Sequence, residues 1–202
     1  MKTAIKWSSL LLLLGFFTSV TAQKFNVYEG SLNFLKDQKT LNVIYLYEDM
    51  SVGDFDKEQD YIDKKVKEMN DDEAGKGDSW AKKWVADRNE RFEPKFEELI
   101  NEYLEGKIKV SNKDAAAYTL VLKTTHTEPG FNVGVWRRPA HINVEAWFVD
   151  TKDNSKVAAK AKMEKVPGQD AWGFDFDTGY RLQESYAKCG KEIGKYIMKK
   201  VL

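Results

Sequence analysis

The feature of the sequence that most constrains the fold is an alternating pattern between Tyr118 and Val166. Three runs within it carry apolar residues at every second position, which is typical of strands with one buried face. A cluster of turn-forming residues, Asp150 to Ser155, separates the second run from the third. The pattern predicts three consecutive antiparallel strands.

The second run shows the clearest division into two faces. One predicted face is apolar, and the other carries polar residues and one tryptophan. The apolar positions are Ala140, Ile142, Val144, Ala146 and Phe148, and the others are His141, Asn143, Glu145 and Trp147.

The same alternation predicts the register of the hairpin that joins the second and third runs. If Asp150 pairs with Ser155, apolar residues face each other at every step, and a slip of one residue would destroy that match. The predicted pairs are Phe148 with Val157, Ala146 with Ala159 and Val144 with Ala161.

The only two histidines of the chain are His126 and His141. Pairing Leu122 with Val144 or Ala146 keeps core residues together. It also places His126 on the core side and His141 on the opposite face. The sequence therefore disfavours a histidine pair or a metal site that both histidines share.

Other segments supply the remaining elements. Leu41 to Tyr47 is a compact β-prone run that predicts a further strand, and Phe25 to Leu35 predicts a shorter strand or an ordered arm. An amphipathic helix is predicted in the acidic stretch around Tyr61, followed by a loop from Asn70 to Ser79. The next helix would begin at Asp78 or Ser79, a following helix would hold Pro94 in its first turn and end at Gly106, and Ile108 and Val110 would form a brief strand.

The C-terminal segment predicts a long helix from apolar residues that recur every three or four positions between Leu182 and Val201. Gly190 and Gly194 would let this helix approach the sheet closely, and Cys189 is interpreted as a buried structural thiol. The chain is therefore expected to form a single α+β domain, 23–202. It would be a two-layer α/β sandwich with its helices packed on one face of the sheet.

Residues Met1 to Ala22 have the pattern of a secretory signal peptide, with Lys2 and Lys6 before an apolar run and small residues before Gln23. No further membrane-spanning segment is expected, so the mature protein is predicted to be exported, either periplasmic or extracellular. The chain has 32 basic and 32 acidic residues. Because a nucleic-acid binder usually shows a basic excess, we expect no nucleic-acid partner.

The connection from Pro129 to Pro139 is long for a hairpin loop, and long loops are often functional. It carries Phe131, Trp136, Arg137 and Arg138. One interpretation is that the strands continue and the aromatic residues pack under neighbouring elements. The other is an exposed aromatic and basic tip that binds an envelope protein or a small ligand, because such residues anchor interfaces.

Trp80 and Trp84 lie one helical turn apart, which is compatible with core packing or with one wall of a sugar-binding groove. In the second case, a pair of carboxylates could supply the acid and the base of a hydrolase. The weak candidates for such a pair are Asp78, Asp87, Glu90 and Glu93.

Asp175, Asp177 and Gly179 resemble the opening of a calcium loop, in which alternate oxygen ligands precede a glycine. The pattern then fails, because Arg181 would repel the ion and Glu184 comes too early for the closing ligand. Helix capping by Asp177 or Thr178, with Arg181 paired to Asp175, is the alternative. No metal or other cofactor is expected.

The runs Tyr118–Leu122, Glu128–Phe131 and Ala187–Lys195 resemble those of uncharacterised secreted bacterial proteins. The order of elements is similar to that of small periplasmic domains of the TolB N-terminal type and of penicillin-binding-protein activators. The resemblance implies a non-enzymatic role in the cell envelope through protein contacts.

The sequence also lacks a Gly-x-Ser-x-Gly nucleophile elbow, a phosphate-binding Gly-Lys-Ser/Thr loop and a His-Glu-x-x-His helix. We therefore expect an exported, non-catalytic protein that binds a protein partner or ligand. A carbohydrate- or envelope-directed hydrolase that uses a carboxylate pair and a calcium-stabilised binding module are the alternatives.

Overall fold

A computed structural model of the protein describes residues 24–133, 136–168 and 177–202. Within 132–137 it describes only the backbone of the four residues next to the gap. The predicted signal peptide and Asp175 lie outside the described residues.

Nine strands and four α-helices are found in the described part of the chain. The strands are β1 (Asn26–Gly30), β2 (Thr40–Leu46), β3 (Ser51–Val52), β4 (Lys109–Ser111), β5 (Tyr118–Glu128), β6 (Phe131–Val133), β7 (Trp136–Arg138), β8 (His141–Asp150) and β9 (Val157–Pro167). The helices are α1 (Glu58–Asp72), α2 (Lys76–Asp87), α3 (Glu93–Leu104) and α4 (Thr178–Lys200). A 3₁₀ turn, Asn33–Asp37, precedes β2, and a π-helical segment, Arg88–Phe92, joins α2 to α3.

The strands form a mixed sheet in the order β1-β9-β8-β5-β2-β4, with β3 beside β5. The predicted meander is confirmed, because β5, β8 and β9 are antiparallel neighbours. Strands β2 and β4 join it in parallel. Strands β6 and β7 form a separate two-stranded hairpin at the end of β5 and β8. The fold is therefore α+β, as expected.

The predicted register of the β8–β9 hairpin is wrong by two residues. Phe148 lies opposite Ala159, Ala146 opposite Ala161 and Val144 opposite Met163. An irregularity lies between Phe148 and Val149, so that Val157 is opposite Val149 instead of Phe148. Because side chains alternate with a period of two, the two-residue shift leaves Ala159 and Ala161 on their predicted face.

One face of the sheet is covered by helices and forms the core. Its strand residues, including Val43, Leu120 and Phe148, are buried together with apolar residues of α3 and α4. Helices α3 and α4 pack so closely that a Cβ at Gly190 would collide with the Phe96 carbonyl oxygen. Cys189 is buried in this layer, as predicted, and burial raises the pKa of its thiol.

The predicted boundaries of the middle helices need correction. The expected loop from Asn70 to Ser79 is mostly helical, because α1 continues to Asp72 and α2 begins at Lys76. The cap of α2 is Gly75, whose positive φ of 82° is a conformation that favours glycine. Pro94 lies in the first turn of α3, as predicted. No helix among the described residues is both long and apolar enough to cross a membrane.

Candidate functional site

The second face of the sheet, which we call the open face, carries none of the strand residues of the helix-packed core. Its centre is a row across four strands in which Ile44, Val121, Trp147 and Lys160 are successive neighbours. Ile44 is 37% exposed. An apolar row with Ile44 exposed thus lies on a face whose strand residues are outside the helix-packed core.

Two valines of the open face are less exposed than Ile44. Val121 and Val149 are buried, yet neither belongs to the helix-packed core. Trp147 lies beside Val121 and is partly exposed, and its indole nitrogen is buried without a hydrogen-bond acceptor among the described residues.

Charged side chains of both signs flank the apolar row. The next row across the sheet places Glu145 between Lys123 and Lys162. Lys162 bonds to Glu164 at 2.7 Å, and Lys123 lies 3.8 Å from Asp49. The open face therefore combines an apolar centre with a border of mixed charge.

The prediction that the two histidines lie on opposite faces is wrong. A β-bulge between Thr124 and His126 shifts the alternation of β5, so that His126 lies opposite Asn143 and on the same face as His141. The two ring centroids are 5.5 Å apart. Burial and the neighbouring His141 both lower the pKa of His126.

Ser51 completes this cluster. Strand β3 runs parallel to β5 and places Ser51 beside His126, with 2.8 Å between the hydroxyl oxygen and Nδ1. The same hydroxyl donates a hydrogen bond to the Thr125 carbonyl oxygen at 3.4 Å. No sequence pattern pointed to Ser51, because strand β3 is only two residues long.

The connection between β5 and β8 is a hairpin rather than an irregular loop. Phe131 is 41% exposed and pairs with Arg138, whose guanidinium carbon lies 5.6 Å from the centre of the Phe131 ring. Arg138 also binds Glu128 at 3.1 Å and Asp54 at 3.2 Å, so its charge is largely offset. Trp136 and Arg137 belong to β7, and their side chains lie outside the described part.

Trp80 and Trp84 stack with ring centroids 5.6 Å apart. Trp84 is a core residue, and its indole N–H donates to Glu58 at 2.6 Å. Arg88 donates hydrogen bonds to both oxygens of the same carboxylate. These contacts join the end of α2 to the start of α1. Trp84 therefore confirms the core interpretation, whereas Trp80 is only partly buried against the core.

A small cavity of about 60 Å³ lies beside the two tryptophans. Asp87 and Asp177 line it, and Arg91 joins them with contacts of 3.1 Å and 2.8 Å. The cavity is well below the roughly 300–1,000 Å³ of pockets that enclose drug-sized ligands. Its size suits a few water molecules better than a sugar ring.

The pKa values of the two carboxylates in this cavity are shifted in opposite directions. Burial raises the pKa of Asp87, and Arg91 offsets only part of that effect. Burial also acts to raise the pKa of Asp177, but the hydrogen bonds from Arg91 and the Tyr180 amide outweigh it and lower the pKa. Asp177 caps α4, as predicted, and Asp87 lies against Gly179 in the first turn of that helix. Asp177 thus stabilises the N-terminus of α4.

The four candidate carboxylates for a hydrolase do not converge. Asp78 accepts a hydrogen bond from Asn70, Glu90 is exposed, and Glu93 faces the hydroxyl of Tyr47 at 3.4 Å. Only Asp87 lines the cavity beside the tryptophans. No two of these four therefore share that cavity.

The calcium candidates are only partly described. Asp177 is engaged by Arg91, a cation that an incoming ion would have to displace, and Asp175 lies outside the described residues. Among the residues described, no three His, Cys, Asp or Glu side chains are grouped so as to hold a metal ion. The predicted ion pair of Arg181 with Asp175 is untested. Arg181 is buried and donates to the Pro129 carbonyl oxygen.

Ile44, Val121 and the histidine cluster were not predicted as functional. One signal for the open face was present in the sequence, because Leu120, Val121 and Leu122 are consecutive apolar residues. A strand with a single buried face needs only two of these three. The bulge that brings the histidines together has no comparable signal.

Comparisons with known proteins yield little. No family model matches the chain, and no curated protein matches it. A solved structure from Xanthomonas campestris, assigned to the family model DUF330, is 16% identical over 50% of this chain, with a TM-score of 0.35. The match spans 58% of that structure's own chain.

A PelC dodecamer from Paraburkholderia phytofirmans is 12% identical, with 84% of this chain and 97% of that chain covered and a TM-score of 0.37. A single-substitution variant of that dodecamer gives 13% identity, 80% and 96% coverage and a TM-score of 0.34. At such TM-scores these likenesses establish neither a shared fold nor a shared function.

Proposed function

We propose that this protein is exported and acts by binding a protein partner, and that the open face and the adjoining β6–β7 hairpin form the binding surface. The observation that carries the proposal is the row of Ile44, Val121 and Trp147 on a sheet face outside the helix-packed core. Accessible apolar groups within a charged border are typical of protein interfaces. Export is supported by the signal-peptide pattern of Met1 to Ala22.

The border of the open face indicates the chemistry of the partner. Lys123 and Lys162 flank Glu145, so the partner is expected to present an apolar side chain to Ile44 and Trp147, with acidic and basic groups around it. The hairpin contributes Phe131 at the rim, where an exposed aromatic ring can anchor a contact. Because Arg138 is already paired with two carboxylates, its role is to hold the hairpin rather than to attract an anion.

A photo-reactive residue at position 44 tests the proposal in the source cells. We expect a discrete adduct with one other protein, and none from the same residue at position 67, which lies on the exposed side of α1. An adduct of twice the chain's own mass would show that the chain associates with itself, and it would contradict the proposal that the partner is a different protein.

The adduct alone does not establish binding, so the partner is then purified and its affinity measured by calorimetry. We expect Ile44→Arg to weaken binding at least tenfold and Phe131→Ala to weaken it less. Lys67→Ala is the matched control and should leave the affinity unchanged. Equal affinity of the wild type and Ile44→Arg would refute the proposed surface.

A further inference from the structure

The chain's only two histidines lie next to each other on the open face, and nothing in the proposed partner binding requires that arrangement. We propose that His126 and His141 bind one divalent metal ion of the zinc and copper class. The ion would be held between strands β5 and β8, at the end of the sheet from which the β6–β7 hairpin extends.

The distance between the rings suits a shared ion. Zinc lies about 2.0–2.1 Å from a ligating imidazole nitrogen, in line with its lone pair and therefore roughly 3.2 Å from the ring centre. Two rings that ligate at a tetrahedral angle have centres about 5 Å apart. The observed separation of 5.5 Å needs only a small adjustment of either side chain.

Ser51 sets the chemical form of His126. Its hydroxyl contacts both Nδ1 of His126 and the Thr125 carbonyl oxygen. Because the hydroxyl has one proton, both hydrogen bonds form together only if it donates to the carbonyl and accepts from Nδ1–H. Nε2 of His126 then keeps its lone pair for a metal, and Ser51 holds the ring as an outer-shell partner does in metal sites.

The same arrangement argues against a serine nucleophile. A general base must accept the serine proton, whereas in this arrangement Nδ1 of His126 is the donor to Ser51. The neutral imidazole is the form that ligates metals. A pair of neutral nitrogen ligands suits zinc, copper or nickel and disfavours calcium and magnesium.

The neighbouring oxygen atoms that could add to the pair are already engaged. One oxygen of Glu128 accepts from the Gly130 amide at 3.0 Å and the other from Arg138 at 3.1 Å. Oδ1 of Asn143 accepts from the Lys165 amide at 2.7 Å. Water or a group from a bound partner would therefore complete the coordination, as in sites that keep open positions.

Titration calorimetry of the purified, untagged protein with zinc chloride at neutral pH tests the proposal. We expect one zinc ion per chain, with affinity at least tenfold weaker in His126→Ala and in His141→Ala. Ser51→Ala should weaken binding about tenfold, within the range for outer-shell partners, without changing the melting temperature of the metal-free protein. Glu145→Gln, on the same face, is the matched control and should bind as the wild type does.

X-ray absorption spectroscopy of the zinc-loaded wild-type protein measures the zinc ligands directly. This test does not depend on the folding of any variant. Two imidazole ligands per zinc ion are expected. Fewer than two imidazoles, or unchanged zinc affinity after both histidines are replaced, would overturn the proposal.

Discussion

The two faces of the sheet are built from alternate residues of the same strands, and they end in different environments. The covered face packs Val43, Leu120 and Phe148 against α3 and α4, and these side chains are fully buried. The open face places Ile44, Val121 and Trp147 one position along each strand, outside the helix-packed core. Stability therefore depends on one face, and the other can carry binding groups at little cost to the fold.

The largest loss of stability in this comparison is expected when a buried side chain is removed from the covered face. Phe148→Ala removes a fully buried ring from the core, and we expect the free energy of unfolding to fall by about 3–5 kcal/mol. Glu145→Ala, on the open side of the same strand, should change it by less than about 0.5 kcal/mol. Urea denaturation measures both, and similar losses would break the distinction between the faces.

A smaller loss of stability is expected when helices α3 and α4 are forced apart. Gly190→Ala adds a methyl group where α4 meets the Phe96 carbonyl oxygen, so the helices must move apart. Overpacking should lower the free energy of unfolding by about 1–3 kcal/mol even though alanine is the better helix former. Gln183→Ala, on the same helix and only partly buried, is the control. A stabilised Gly190→Ala variant would show that the two helices are not in close contact.

The buried Asp87 predicts a pH effect on the covered side. Because its pKa is raised in the folded state, the folded protein holds this proton at pH values where the unfolded chain has lost it. The contribution of Asp87 to stability is therefore greatest below the ordinary aspartate pKa and is lost as the pH rises through the folded value. The free energy of unfolding of the wild type minus that of Asp87→Asn should decrease between pH 4 and pH 7. A constant or rising difference would contradict this.

The smallest effect is expected on the open face. The indole nitrogen of Trp147 is buried without an acceptor among the described residues, so we expect Trp147→Phe to cost less than about 1 kcal/mol. Trp84→Phe is the matched variant on the covered side, where the indole N–H bonds to Glu58. It should cost about 1–3 kcal/mol. Equal costs in thermal denaturation would contradict the different roles of the two tryptophans.

Most of the sheet could be predicted because its information is local. Alternation in β8 assigned His141, Asn143, Glu145 and Trp147 to one face, and the C-terminal helix followed from its own periodicity. A register error of two residues does not change which side chains share a face. Ala146, Ala159 and Ala161 were therefore assigned to the correct face although the β8–β9 register was wrong.

The candidate site could not be predicted because it depends on departures from regularity and on distant parts of the chain. The bulge before His126 reverses the face of one histidine, and β3 brings Ser51 to it from 75 residues away in sequence. The contact of Asp87 with the first turn of α4 also joins separated segments. No periodicity encodes these contacts.

Two adjacent residues of β2 test whether one face of the sheet is core and the other is open. Val43 is fully buried and Ile44 is exposed. Arginine at position 43 would bury an unpaired charge, and we expect Val43→Arg to be unfolded, whereas Ile44→Arg should retain the wild-type melting temperature within a few degrees. Circular dichroism of the two variants side by side measures this. If Ile44→Arg also unfolds the protein, the open face is part of the core and the account is wrong.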